Sequence, residues 1–131
     1  MKITATVRSS TDAHETIVAT NGVAQALSVA VKSSGRGSAI NGGEFLMLAL
    51  ATCYCNDVYR EAERLNIPVD AVFVEASADF TGAGLAATNI RYKARVTSSA
   101  PEDVIADLLR QTDAVAEVHN TIRSGASVKL E

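Results

Sequence analysis

The sequence predicts an α+β domain, and three observations carry that prediction. The first 32 residues hold three segments that alternate apolar with polar side chains. A single long helical pattern then covers residues 44–66. Two more alternating segments follow, and after them two helical ones and a short alternating end. The element order read from the chain is βββαββααβ.

Residues 2–9 and 14–20 alternate as half-buried strands do, and Ser9-Ser10-Thr11-Asp12 between them is turn chemistry. Asn21-Gly22 predicts a tight hairpin, since both residues tolerate the positive φ that such turns need. The alternation resumes over 24–32 and predicts a third strand. Residues 33–43 are polar and glycine-rich. Loops of this kind often serve function or simply connect, and the phosphate-loop spacing is absent. From Glu44 the period becomes helical. Phe45 to Ala51 is apolar on every side, which predicts burial all round. Asp57 to Leu65 is amphipathic, with Asp57/Arg60 and Glu61/Arg64 at i,i+3, and Pro68 lies just past the predicted end. Strands are predicted at about 70–80 and 89–97, separated by Thr81-Gly82-Ala83-Gly84. Pro101-Glu102 opens a helix over 101–113 with Val104, Ile105, Leu108 and Leu109 on one face. A short helix at 114–123 and a last strand at 126–130 complete the order.

A chain of 131 residues fits one domain spanning 1–131. With 47% apolar and 21% charged residues it is globular rather than disordered. Twelve basic against fifteen acidic side chains give a net charge of −3, with no basic patch to bind nucleic acid. The apolar run 45–51 is far too short to span a membrane. Residues 1–6 alternate like a strand rather than forming the apolar block of a signal peptide. The expectation is a cytoplasmic protein with neither a nucleic-acid nor a membrane partner.

Cys53 and Cys55 are the sharpest chemical feature. Two positions apart on a helix point to nearly opposite sides, so the pair can neither bond to each other nor share a metal ion. At most one faces a given pocket, and the other reading of each is a small buried hydrophobe. His14 and His119 are isolated and read as solvated or hydrogen-bonded core residues. Arg8, Lys32, Arg36, Arg91 and Arg95 are scattered. Glu44 opens the helix beside a glycine pair, where an acid suits the dipole or a cap. No cofactor or metal motif is present.

The stretch Gly43-Glu44-Phe45-Leu46-Met47-Leu48-Ala49-Leu50-Ala51-Thr52-Cys53 resembles the OsmC/Ohr family of peroxide-detoxifying proteins and their relatives. The passage Tyr59 to Val69 and the stretch Val118-His119-Asn120-Thr121-Ile122-Arg123-Ser124-Gly125 are similar to that family as well. The resemblance implies a long buried central helix and an intertwined homodimer with its sites at the interface. It also implies thiolate attack by Cys53 on an organic hydroperoxide, with Glu44 holding a cation beside the sulfur. Arg36 is the first choice for that cation, with Arg8, Lys32 and His14 as alternatives. Glu44 and Cys53 are about 13.5 Å apart along an ideal helix and half a turn out of phase, so they can meet only between subunits. The family's Pro before the helix is replaced here by Gly42 or Gly43. Its second cysteine, which opens a Cys-Pro-Val motif, is replaced by Ala116. An external thiol reductant would then be needed. Two readings stay open: a thiol-dependent peroxidase, and a relative that binds an apolar small molecule without reducing it.

Overall fold

The computed structural model describes residues 1–131. They form two compact units, Met1–Phe45 and Leu46–Glu131.

In the first unit, β1 (Ile3–Ser9), β2 (His14–Thr20) and β3 (Val23–Ala26) make an antiparallel meander in that order. Ser10 accepts the N–H groups of Asp12 and Ala13 at 3.3 and 3.1 Å and turns the chain from β1 into β2. Asn21 and Gly22 both have positive φ (50° and 83°) between the paired residues Thr20 and Val23. This is the primed hairpin turn whose twist matches the strands. β3 ends at Ala26, short of the predicted 24–32. Its extension is replaced by a separate small loop-back, in which Val31 bridges Ser38 around Gly35 and Gly37. With φ of 84° and 97°, those glycines turn the chain where other residues would be strained. The register puts Ile3, Val7, Val18 and Val23 on one face of the meander, and all four are exposed.

The central helix, α1 (Gly42–Arg64), starts at a reciprocal cap. Asn41 Oδ1 accepts the Glu44 N–H at 2.9 Å, and Glu44 Oε2 accepts the Asn41 N–H at 2.7 Å. It ends on Asn66, whose left-handed φ of 54° lets the N–H groups of Asn66 and Ile67 bond back to Glu63 and Ala62. Pro68 therefore lies beyond a stop that the asparagine already makes.

In the second unit, β4 (Ala71–Asp79) and β5 (Thr88–Thr97) form an antiparallel pair, followed by α2 (Glu102–Val115) and α3 (Glu117–Arg123). The inward pairs are Val72 with Val96, Val74 with Ala94, and Ala76 with Tyr92. Against them pack Tyr54, Val58 and Ala62 of α1 and Leu108 of α2, which form the core with Ala116. The outer face carries Arg95 stacked 4.7 Å over Phe73 and the Lys93–Glu75 ion pair at 3.3 Å. Gly125, with φ of 63°, closes α3.

Two expectations are corrected. Residues 126–130 form no strand. Their alternation is short, and no partner strand offers its edge to them. Within a single chain, the better-covered half of α1 is also the other one. Leu50, Tyr54, Asp57, Val58, Glu61 and Ala62 are buried, whereas Leu48 is 54% exposed. The core of the second unit covers the amphipathic half. Its buried acids are tolerated because Arg60 and Arg64 pair with them at 3.0 and 2.6 Å. No helix is long and apolar enough to cross a membrane.

Candidate functional site

At 100° per residue, Cys53 and Cys55 leave α1 in different directions. Cys55 lines an open groove of about 350 Å3 with Ala51, Thr52, Asn56, Val72, Phe73 and Val74. Cys53 instead faces the start of α3. Both thiols are free and half-buried.

α2 and α3 are separated by a single residue, Ala116, whose extended backbone (φ −73°, ψ 102°) breaks the helix and restarts it. Ala116 is fully buried and carries no side-chain cap. The Val118 backbone N–H, near the start of α3, favours the Cys53 thiolate. Three other influences oppose that one. Burial pushes the thiol pKa up first, and the Asp57 and Glu117 carboxylates push it up further. The Cys53 thiol donates to Asp57 Oδ2 with Sγ and oxygen 3.4 Å apart.

Asp57 is only 5% exposed, and burial raises its pKa too. The Cys53 sulfur and carboxylate oxygens of Asp57 and Glu117 all lie within 4.8 Å of one another. One cation bridging the two acids would compensate such a cluster, and Arg60 supplies it, at 3.0 Å from Asp57 and 3.5 Å from Glu117. The result is a thiol, a carboxylate that accepts its hydrogen bond, and a guanidinium paired with that carboxylate.

Beside this cluster lies an aromatic one. His119 packs edge-on to Tyr92, 4.4 Å between ring centroids, and tilted against Tyr54 at 5.6 Å. The Tyr54 hydroxyl donates to the Leu109 carbonyl at 2.7 Å, and its burial pushes its pKa to about 12. The Tyr92 hydroxyl bonds to Asp113, which Arg123 also holds at 2.6 Å. His119 is 3% exposed, yet neither ring nitrogen has a partner. Burial and Arg123 hold its pKa below the ordinary value. Neither a solvated nor a hydrogen-bonded core histidine describes it.

The other expected site residues belong to the first unit and are engaged there. Glu44 is the capping acid of α1. Arg36 donates to Thr11 Oγ1 at 3.1 Å and lines a cavity of about 200 Å3 with His14, Val31 and the Ser9–Ala13 turn. Sequence reading missed Asp57, Glu117 and Arg60 as the neighbours of Cys53. The i,i+4 spacing of Cys53 and Asp57 was a usable signal; Glu117, far along the chain, gave none.

The family model for OsmC-like proteins matches residues 35–131. No curated protein matches the chain. Among solved structures, the OsmC-like protein from Mycoplasma pneumoniae superposes with a TM-score of 0.65 at 17% identity, covering 93% of this chain and 86% of that one. An organic hydroperoxide resistance protein from Legionella pneumophila gives 0.60 at 16% identity, with 97% and 94% covered. An OsmC-like hydroperoxide resistance protein from Jannaschia gives 0.57 at 18% identity, with 89% and 80% covered.

Proposed function

Because the chain belongs to the OsmC-like family, matched over residues 35–131, we propose that it reduces organic hydroperoxides through the Cys53 thiol. The observation that carries this reading is the setting of Cys53. It is a free, half-buried thiol hydrogen-bonded to a carboxylate, beside a backbone N–H that favours its thiolate. The thiolate is the nucleophile in such chemistry. In this reading Arg36 is the cation that steadies thiolate and peroxide, and Glu44 orients it across a homodimer interface. The buried residue at the place of the family's second cysteine is Ala116, so resolution of the oxidised sulfur falls to an external thiol.

A second reading has its own support. Asp57 and Glu117 both oppose the thiolate, and Ala116 carries no sulfur. These features favour a relative that binds an apolar small molecule without reducing it. The two are separated by consumption of cumene hydroperoxide with a dithiol reductant. Wild type and Cys55→Ser should turn over, and Cys53→Ser should not. Turnover that survives in Cys53→Ser, or an inert wild type, sinks the peroxidase reading.

A further inference from the structure

The acidic neighbour of Cys53 is a puzzle for any nucleophilic role. A fixed anion 3.4 Å from the sulfur makes the thiolate harder to form. The puzzle disappears if the proton leaving the sulfur stays on that neighbour. Sulfur and carboxylate are then never both anionic, and only one proton is shared between them. The geometry suits this exchange. Asp57 sits one turn after Cys53 on the same face of α1, the S–H is directed at Oδ2, and the other carboxylate oxygen, Oδ1, is anchored by Arg60 at 3.0 Å. Burial also raises the carboxylate pKa, so the buried acid holds a proton more readily than an exposed one. The charged groups facing the pair are Arg60 from α1, which pairs with Asp57, and Glu117 from α3, which opposes charge on both members. His119, also on α3, is held toward its neutral form.

We infer that Asp57 is the proton carrier of hydroperoxide reduction, taking the Cys53 thiol proton as the sulfur attacks and delivering it to the departing alkoxide. This rests on the peroxidase reading above. In the step, the sulfur lone pair forms a bond to the terminal peroxide oxygen, which brings its own hydrogen. The O–O bond breaks heterolytically and the alkoxide leaves with the electron pair. Sulfur is oxidised from thiol to sulfenic acid, and the peroxide is reduced to an alcohol. The thiol proton, passed through Asp57, completes the alcohol. No other reactant is required until the sulfenic acid is reduced.

Two reactions of one sulfur test this, in a Cys55→Ser background. Iodoacetamide needs only the thiolate, because iodide leaves without a proton. Cumene hydroperoxide needs the thiolate and an acid. Asp57→Asn should alkylate at least as fast as the parent at pH 7. Its sulfenic acid formation should be about 100-fold slower, the scale of general acid–base catalysis. Asp57→Glu, which keeps a carboxyl one methylene further out, should recover part of that loss. The parent protein gives a second measurement that needs no substitution at the site. Its peroxide rate should be bell-shaped in pH, since only the one-proton state of the pair reacts, while its alkylation rate rises to a plateau. Peroxide rates that follow alkylation rates, across variants or across pH, would show Asp57 to be a bystander charge. A parent that alkylates normally but ignores the peroxide would remove the peroxidase reading itself, and this step with it.

Discussion

Two carboxylates stand beside the Cys53 sulfur, but they differ in how firmly they are fixed. Asp57 is buried and bonded to the thiol, whereas the Glu117 side chain is 70% exposed and acts only through space. Glu117→Gln should therefore speed alkylation of Cys53 at pH 7 by about two- to five-fold, the scale of a screened surface interaction. An unchanged rate would show that Glu117 does not act on the thiol. His119 makes a stability prediction with a definite sign. Its folded pKa lies below the ordinary 6.5, so the unfolded chain binds the proton more readily. The stability it permits is present above about pH 6.5 and is lost as pH falls from there through the lower folded pKa. Melting temperature should drop between pH 7.5 and 5.5. His119→Phe, which keeps an aromatic ring against Tyr54 and Tyr92, should flatten that drop. An undiminished drop in the variant would assign it elsewhere. At this scale the place of Cys53 on the central helix was legible in the sequence. Its partners were less so, because Asp57 and Arg60 read as an ordinary exposed i,i+3 pair. Whether a pair on a helix is exposed depends on what packs over it, and here that is α3, some sixty residues further on.

α1 shows how one element can carry two explanations for a single residue. Glu44 is a capping acid by geometry and, by resemblance, the carboxylate that would hold the cation beside Cys53, and the two roles separate by substitution. Gln can fill the third position of a capping box as Glu does. Glu44→Gln should therefore keep the melting temperature, and Glu44→Ala should lower stability by about 1 kcal/mol. If the charge also serves peroxide reduction, Glu44→Gln loses activity at constant stability. Full activity in a stable Glu44→Gln protein would leave the glutamate a cap and nothing more. The strands of the first unit and the pair β4–β5 were legible because alternation and turn residues are local signals. So were the two ends of α1, within a few residues. The direction of its burial was not. Hydrophobicity says that residues 45–51 want cover, but only tertiary structure says which part of a helix receives it. The terminal segment misled for a related reason, since alternation is necessary for a half-buried strand but supplies no partner strand.

At the scale of the whole molecule, the apolar surface left open asks for a second copy of the chain. Ile3, Val7, Val18 and Val23 share one exposed face of the meander. Leu48 is exposed in the middle of the most apolar stretch of α1. Large contiguous apolar patches on a folded chain mark interaction sites, and closed two-fold dimers are the commonest way identical chains cover them. The net charge of −3 is too small to hold two copies apart. We therefore propose a homodimer in which a second copy covers exposed apolar surface of each unit. Light scattering at micromolar concentration should return twice the chain mass. Leu48→Glu and Val7→Glu should each shift it toward one chain mass, because each places a charge in a desolvated contact without entering the core around Tyr54, Val58 and Leu108. Those variants also test the peroxidase reading. If the cation beside Cys53 comes from a second copy, dissociation should abolish peroxide reduction while leaving alkylation of Cys53 intact. A wild type of one chain mass that still reduces peroxide would place every group the reaction needs within a single chain.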